Sequence, residues 1–126
     1  MAAPTVDSRI KRRCLVMSDE AAFVAGVQCG LPEGWSLIES TDLARVGGFE
    51  EVLQLRFIVL DLDAQTFEPL AVIEEVRGEM MLNVAIFCFG GAPAIRDQAR
   101  RARADRFFER AESTEKVALF CEQFGW

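Results

Sequence analysis

The stretch that most constrains this chain is the run Phe57, Ile58, Val59 and Leu60, which stops abruptly on Asp61, Leu62 and Asp63. Four consecutive apolar residues, three of them strand formers, read as a β-strand buried on both faces, because a strand with one wet face would alternate apolar and polar positions. Helical spacing resumes shortly afterwards, which marks the strand as parallel. Parallel sheets carry helices on both faces and bind ligands beyond the carboxyl ends of their strands. Asp61 therefore falls where such a fold does its chemistry.

The rest of the sequence repeats this plan. Cys14, Leu15, Val16 and Met17 form a first strand that ends on Ser18, Asp19 and Glu20, and residues 21–30 follow as a helix that Ser18 or Asp19 is placed to cap. Pro32 and Gly34 break that helix before a short strand, Trp35 to Ile38. Thr41 and Asp42 open a second helix in which Leu43, Val46, Phe49, Val52 and Leu53 recur at helical spacing, weakened by Gly47 and Gly48. The third strand covers residues 57–62. Pro69 starts a third helix that carries Ile73, Glu74 and Arg77 and frays at Gly78. A strand over residues 84–89 closes on Gly90 and Gly91, and Pro93 begins a fourth helix. Arg106, Phe107 and Phe108 make a fifth strand whose phenylalanines alternate, one facing the core and one a helix or solvent. In the last helix, residues 113–124, Val117, Phe120, Cys121 and Phe124 form a core-facing stripe.

Five β–α units imply a five-stranded parallel sheet with helices on both faces, a flavodoxin-like three-layer α/β sandwich. Residues 1–12 read as a flexible N-terminal arm and residues 13–126 as one domain.

Composition removes several kinds of chemistry. The 126 residues contain no histidine, so Ser-His-Asp and Cys-His catalysis, His-ligated zinc and phosphohistidine relay within the chain are excluded. Cys14, Cys29, Cys88 and Cys121 show no C-x-x-C spacing and lie in apolar neighbourhoods, as buried structural thiols do. A net charge of −6 disfavours nucleic acid and anionic lipid. The longest apolar runs fall far short of the ~20 residues of a membrane helix, and the amino terminus lacks a signal-type apolar segment, so a soluble, cytoplasmic protein is expected. No G-x-G-x-x-G follows the first strand, and Ser18, Asp19 and Glu20 would repel a phosphate, which argues against a flavin or nucleotide binder.

This order of elements, with acidic residues after the first and third strands, resembles the receiver domain of two-component response regulators over residues 13–124. The resemblance places Asp61 at the phosphoacceptor position and aligns the family's acidic pair with Ser18 and Asp19, with Glu20 beside them. Cys88 stands at the position of the hydroxyl residue that ends the fourth strand. Arg110, followed by Ala111, stands for the lysine and proline after the fifth. Ala64 and Gln65 replace the usual Met-Pro, Pro69 replaces a glycine, and Phe107 takes the place of the aromatic that changes rotamer on activation. The chain thus resembles a degenerate, or pseudo-, receiver.

The resemblance implies a weak Mg²⁺ site formed by Asp19, Asp61 and the Asp63 carbonyl. Losing one carboxylate to Ser18 weakens such a site, Cys88 offers only a feeble donor, and Arg110 can form a standing ion pair with Asp61. Two readings follow. One is a signalling module acting by protein–protein interaction with lost or weakened aspartyl phosphorylation, which the number of substitutions favours. The other is a Mg²⁺-dependent phosphoacceptor that catalyses its own phosphorylation on Asp61 and its own dephosphorylation.

Arg96, Arg100, Arg101, Arg103, Arg106 and Arg110 concentrate six of the fourteen basic residues into fifteen positions of an acidic chain. In receivers the surface of the fourth helix, fifth strand and fifth helix is the usual dimer and partner face. A protein partner (a histidine kinase, a regulator or an output protein) or a second copy of the chain is therefore expected there. The plainer alternative is a solvated helix face on which Asp97 pairs with Arg101. No recognition-helix motif accompanies the arginines, so DNA is disfavoured.

Overall fold

Strand β3 (Phe57–Asp61) lies in the middle of the molecule, and each of its five residues is buried. The structure, a computed structural model, describes residues 12–125. The expected arm lies outside the described residues except for Arg12, which instead begins strand β1 (Arg12–Met17). The chain continues through α1 (Ala21–Gly30), β2 (Trp35–Ser40), α2 (Leu43–Val46), α3 (Phe49–Leu53) and β3 to α4 (Pro69–Glu74). It then runs through β4 (Ala85–Phe89), α5 (Pro93–Arg101), β5 (Arg106–Phe108) and α6 (Ser113–Gln123). The five strands form one sheet in the order β2-β1-β3-β4-β5, and every pairing is parallel. Because the strand order reverses beside β1, the carboxyl ends of β1 and β3 border the crevice where open α/β sheets bind ligands.

Three local expectations change. The second helix is two short ones, because Gly47 and Gly48 adopt φ of +126° and +82°, which an α-helix cannot contain. The third helix does not fray at Gly78; it widens into a π-helical turn, Glu75–Glu79. Neither Ser18 nor Asp19 caps α1, whose N-cap residue Glu20 makes no side-chain cap bond. Asp42 does cap α2, accepting from the Ala44 amide at 3.0 Å.

The two faces of the sheet are packed differently. Toward α1 and α6 the core is a slab of phenylalanines: Phe87 stacks on Phe120 with ring centroids 3.9 Å apart, and Phe57 meets Phe120 edge-on at 5.5 Å. Helices α1 and α6 approach so closely that a Cβ on Gly30 would overlap the Thr114 carbonyl oxygen, while the Thr114 hydroxyl donates to the Gly26 carbonyl at 2.8 Å. The opposite face is aliphatic, with Leu15, Met17, Ile58, Leu60, Ile73, Ile86 and Cys88 beneath α2 to α5.

At the amino ends of β4 and β5 a buried arginine holds the loops together. Arg77 donates from Nε to the Arg103 carbonyl at 2.9 Å, from Nη1 to the Leu82 and Val84 carbonyls at 2.9 and 2.8 Å, and from Nη2 to Asp105 at 2.8 Å. The same Asp105 oxygen accepts from the Ile86 amide at 2.7 Å. No helix among the described residues is long and apolar enough to cross a membrane.

Candidate functional site

Asp61 ends β3 with only 1% of its surface exposed, and both of its carboxylate oxygens are engaged. Oδ2 accepts from the Ser18 hydroxyl at 2.7 Å, and that hydroxyl in turn accepts from the Glu20 amide at 3.0 Å. Oδ1 accepts from the Asp63 amide at 2.9 Å and from Nη1 of Arg110. Serine at position 18 thus supplies a donor where a second carboxylate would have repelled Asp61.

Arg110 arrives from the 3₁₀ turn Arg110–Glu112 just past β5, which Glu109 and Glu112 close as a reciprocal capping box. Its guanidinium lies among three carboxylates: besides Asp61, Nη2 donates to Glu20 Oε1 at 2.6 Å, and Nη1 stands 3.7 Å from Asp63 Oδ2. The Phe23 ring closes the remaining side, 4.8 Å from the guanidinium carbon. Burial by itself would lower the pKa of Arg110, but the bond to Glu20 and the charge of Asp61 outweigh it and hold the pKa above the ordinary arginine value.

Asp19 is held by the β3–α4 loop that follows Asp61, where Oδ2 accepts from the Gln65 and Thr66 amides at 2.7 and 2.8 Å. These two bonds hold its carboxyl below the usual carboxylate range. The Asp63 carbonyl, expected as a metal ligand, accepts from Gln65 Nε2 at 3.1 Å. Among the described residues no three His, Cys, Asp or Glu side chains gather as a metal site. In this arrangement the donors do not fit Mg²⁺: Asp19 serves the loop, both Asp61 oxygens are occupied, and a guanidinium already supplies positive charge to Asp61, Asp63 and Glu20.

Cys88 is wholly buried among aliphatic side chains, and its pKa is pushed up to about 12, first by burial and then by the charge of Asp105. The other cysteines divide. Cys14 and Cys121 are buried, with pKa values raised to about 12 and about 11 by burial, whereas Cys29 is exposed, contrary to expectation, because it sits on the outer face of α1. A thiol must ionise and be reached to react. Native protein is therefore expected to release one equivalent of thionitrobenzoate from Ellman's reagent at pH 8, assigned to Cys29 by mass spectrometry, and four after denaturation. Rapid native labelling of Cys88 would contradict the burial described.

The arginines also separate. Arg96 reaches inward, donating to the Gly90 carbonyl at 2.8 Å and the Phe108 carbonyl at 3.0 Å. Asp97 pairs with Arg100 at 2.9 Å rather than with Arg101. The Arg100 guanidinium also covers the Phe107 ring at 4.8 Å. Phe107 and Phe108 are both half-buried on opposite faces of the sheet, so neither is left to solvent. Arg101, Arg103 and Arg106 are exposed and make no ion pair among the described residues.

Sequence reasoning overlooked Gly90 as part of the site. Its φ is +75°, and a Cβ there would overlap Asp63 Oδ2 and press on Arg110 Cγ at 3.0 Å. The Gly90-Gly91 pair after an apolar strand was the signal, and it reads equally well as a simple strand end.

No family model matches the sequence, and no curated protein matches it. Solved structures do. The receiver domain of the TMAO respiratory system response regulator TorR superposes with a TM-score of 0.73 at 16% identity, covering 91% of this chain and 97% of that one. A response-regulator signal receiver domain from Bermanella marisrubri gives 0.71 at 20% identity, covering 90% and 98%. The Mn²⁺-bound form of response regulator Rcp1 gives 0.68 at 16% identity, covering 90% and 94%. The chain has the receiver-domain fold, a five-stranded parallel α/β sandwich.

Proposed function

We propose that this chain is a receiver-type signalling module, acting in the cytoplasm by contact with a kinase, regulator or output protein, in which phosphorylation of Asp61 is lost or weakened. The observation that carries the reading is the Arg110 guanidinium seated among Asp61, Asp63 and Glu20. Phosphoryl transfer to a carboxylate needs a free oxygen in line with the donor and positive charge on the transferring group. In this site an internal cation holds Asp61 Oδ1, and Ser18 holds Oδ2. The neighbour Rcp1 was solved with Mn²⁺ bound; here the fixed guanidinium stands in place of such an ion's charge. Arg110 thereby offsets part of the negative charge of the acidic rim without a phosphodonor, which leaves one standing conformation to be read by a partner.

The test is incubation with Mg²⁺ and acetyl phosphate, followed by intact mass measurement. The native chain is expected to gain no phosphoryl group, and the combined Ser18→Asp, Arg110→Lys variant to gain one that Asp61→Asn abolishes. A phosphorylated species of the native chain that vanishes in Asp61→Asn would establish the Mg²⁺-dependent phosphoacceptor reading instead.

A further inference from the structure

We infer that the groove between the Glu75–Glu79 turn and the carboxyl end of α5 is a docking site for an acidic, extended peptide segment of a partner protein. The groove has a volume of about 470 Å³ and is lined by Glu74, Arg77, Gly78, Gln98, Arg101, Ala102 and Arg103. It lies near the amino ends of β4 and β5, at the opposite end of the strands from Asp61. The charge of Arg77 at its edge is matched by Asp105, and Arg96, Arg100 and Arg110 are bound within the fold. Arg101 and Arg103 are different, because they are exposed and carry no ion pair among the described residues, and neither does Arg106 close by on β5.

A chain of net charge −6 repels acidic partners on average, so a local positive field favours where an acidic segment lands. Arginine forks bind carboxylates through paired hydrogen bonds, and the arginine stems with Ala102 and Gly78 give apolar side chains between those carboxylates something to lie on. Gly78 meets nothing within 4 Å of a hypothetical Cβ, so the groove is open over it. The inference specifies the partner for the contact reading above. It does not depend on Asp61, so the phosphodonor result and this one can fail separately.

The probe is a fluorescein-labelled peptide of alternating Glu and Leu, with a Gln-for-Glu peptide of equal length as control, followed by fluorescence anisotropy with the full chain. The native chain is expected to bind the acidic peptide and not the control. Arg101→Glu with Arg103→Glu should weaken binding about tenfold or more. Gly78→Met, which fills the groove without changing charge, should weaken it similarly, while Arg100→Glu should leave it unchanged. Thermal melts of each variant separate lost binding from lost folding, and only variants that melt cooperatively are scored. Equal binding of the two peptides, or undiminished binding by both groove variants, overturns the inference. So does a native dimer in sedimentation that the groove variants dissociate, since the occupant would then be a second copy of the chain.

Discussion

Replacing Arg77 with alanine is expected to cost about 3–5 kcal/mol of stability, chiefly through three backbone carbonyls left without a donor at about 1–3 kcal/mol for each one that stays buried. The side chain is 6% exposed, and its loss strands the carbonyls of Leu82, Val84 and Arg103, while Asp105, 45% exposed, keeps the Ile86 amide and water. A buried acceptor left unmatched costs its full desolvation, which exceeds what the hydrogen bond contributed in net terms. Urea denaturation followed by circular dichroism measures the change, and for a domain of this size the melting temperature should fall by about 10–20 °C. Arg77→Lys should recover less than half of the loss, because one ammonium group cannot reach four acceptors around a planar fork. A loss under about 1 kcal/mol for Arg77→Ala would show that water replaces the guanidinium freely.

Arg110→Met should lower stability by about 2–3 kcal/mol, less than for a fully enclosed pair. Two facts reduce it: the Arg110 side chain is 27% exposed, and Asp61 keeps the Ser18 hydroxyl and the Asp63 amide as donors. What remains is a carboxylate at 1% exposure without its cation, beside Asp63. Adding Asp61→Asn to Arg110→Met removes that charge and should restore at least half of the loss. A double-mutant cycle on urea midpoints isolates the coupling. Additive losses would mean that Arg110 acts mainly through Glu20 and the Phe23 ring, and the guanidinium would no longer account for the state of Asp61.

The sheet was legible because its signal is long-range and redundant. Apolar runs at residues 14–17, 57–60 and 84–89, separated by helical spacing, leave few alternatives to parallel strands with crossover helices. Asp61 followed from the same logic, since it ends the most apolar strand, and the Arg110 ion pair followed from the resemblance that put Arg110 at the lysine position. The partners of Asp19 were not legible, for a physical reason. Two loop amides, those of Gln65 and Thr66, compete for its carboxylate, and amides have no sequence signature. Arg77 looked like an ordinary helical residue because its four acceptors are backbone carbonyls or lie far along the chain. The arginine cluster counted as one feature in sequence but is two in space, with Arg96, Arg100 and Arg110 tethered and Arg101, Arg103 and Arg106 without an ion pair among the described residues, since the six are spread over α5, the α5–β5 loop, β5 and the turn after it. The Mg²⁺ site at Asp61 followed from the resemblance, and a resemblance of positions says nothing about which oxygens already accept hydrogen bonds.

The close seating of α1 against α6 decides where the molecule can yield. With Gly30 against the Thr114 carbonyl and the Thr114 hydroxyl tied to Gly26, neither helix can slide or swivel without breaking backbone contact, and the stacked rings beneath them resist shear. The other flank is built of shorter pieces, including α2 with four residues and α3 with five, joined by glycines at positive φ. Compliance is therefore one-sided: Arg110, resting on Phe23 and leading into α6, belongs to the fixed aromatic frame, and the aliphatic flank of short helices is the part with room to shift against it.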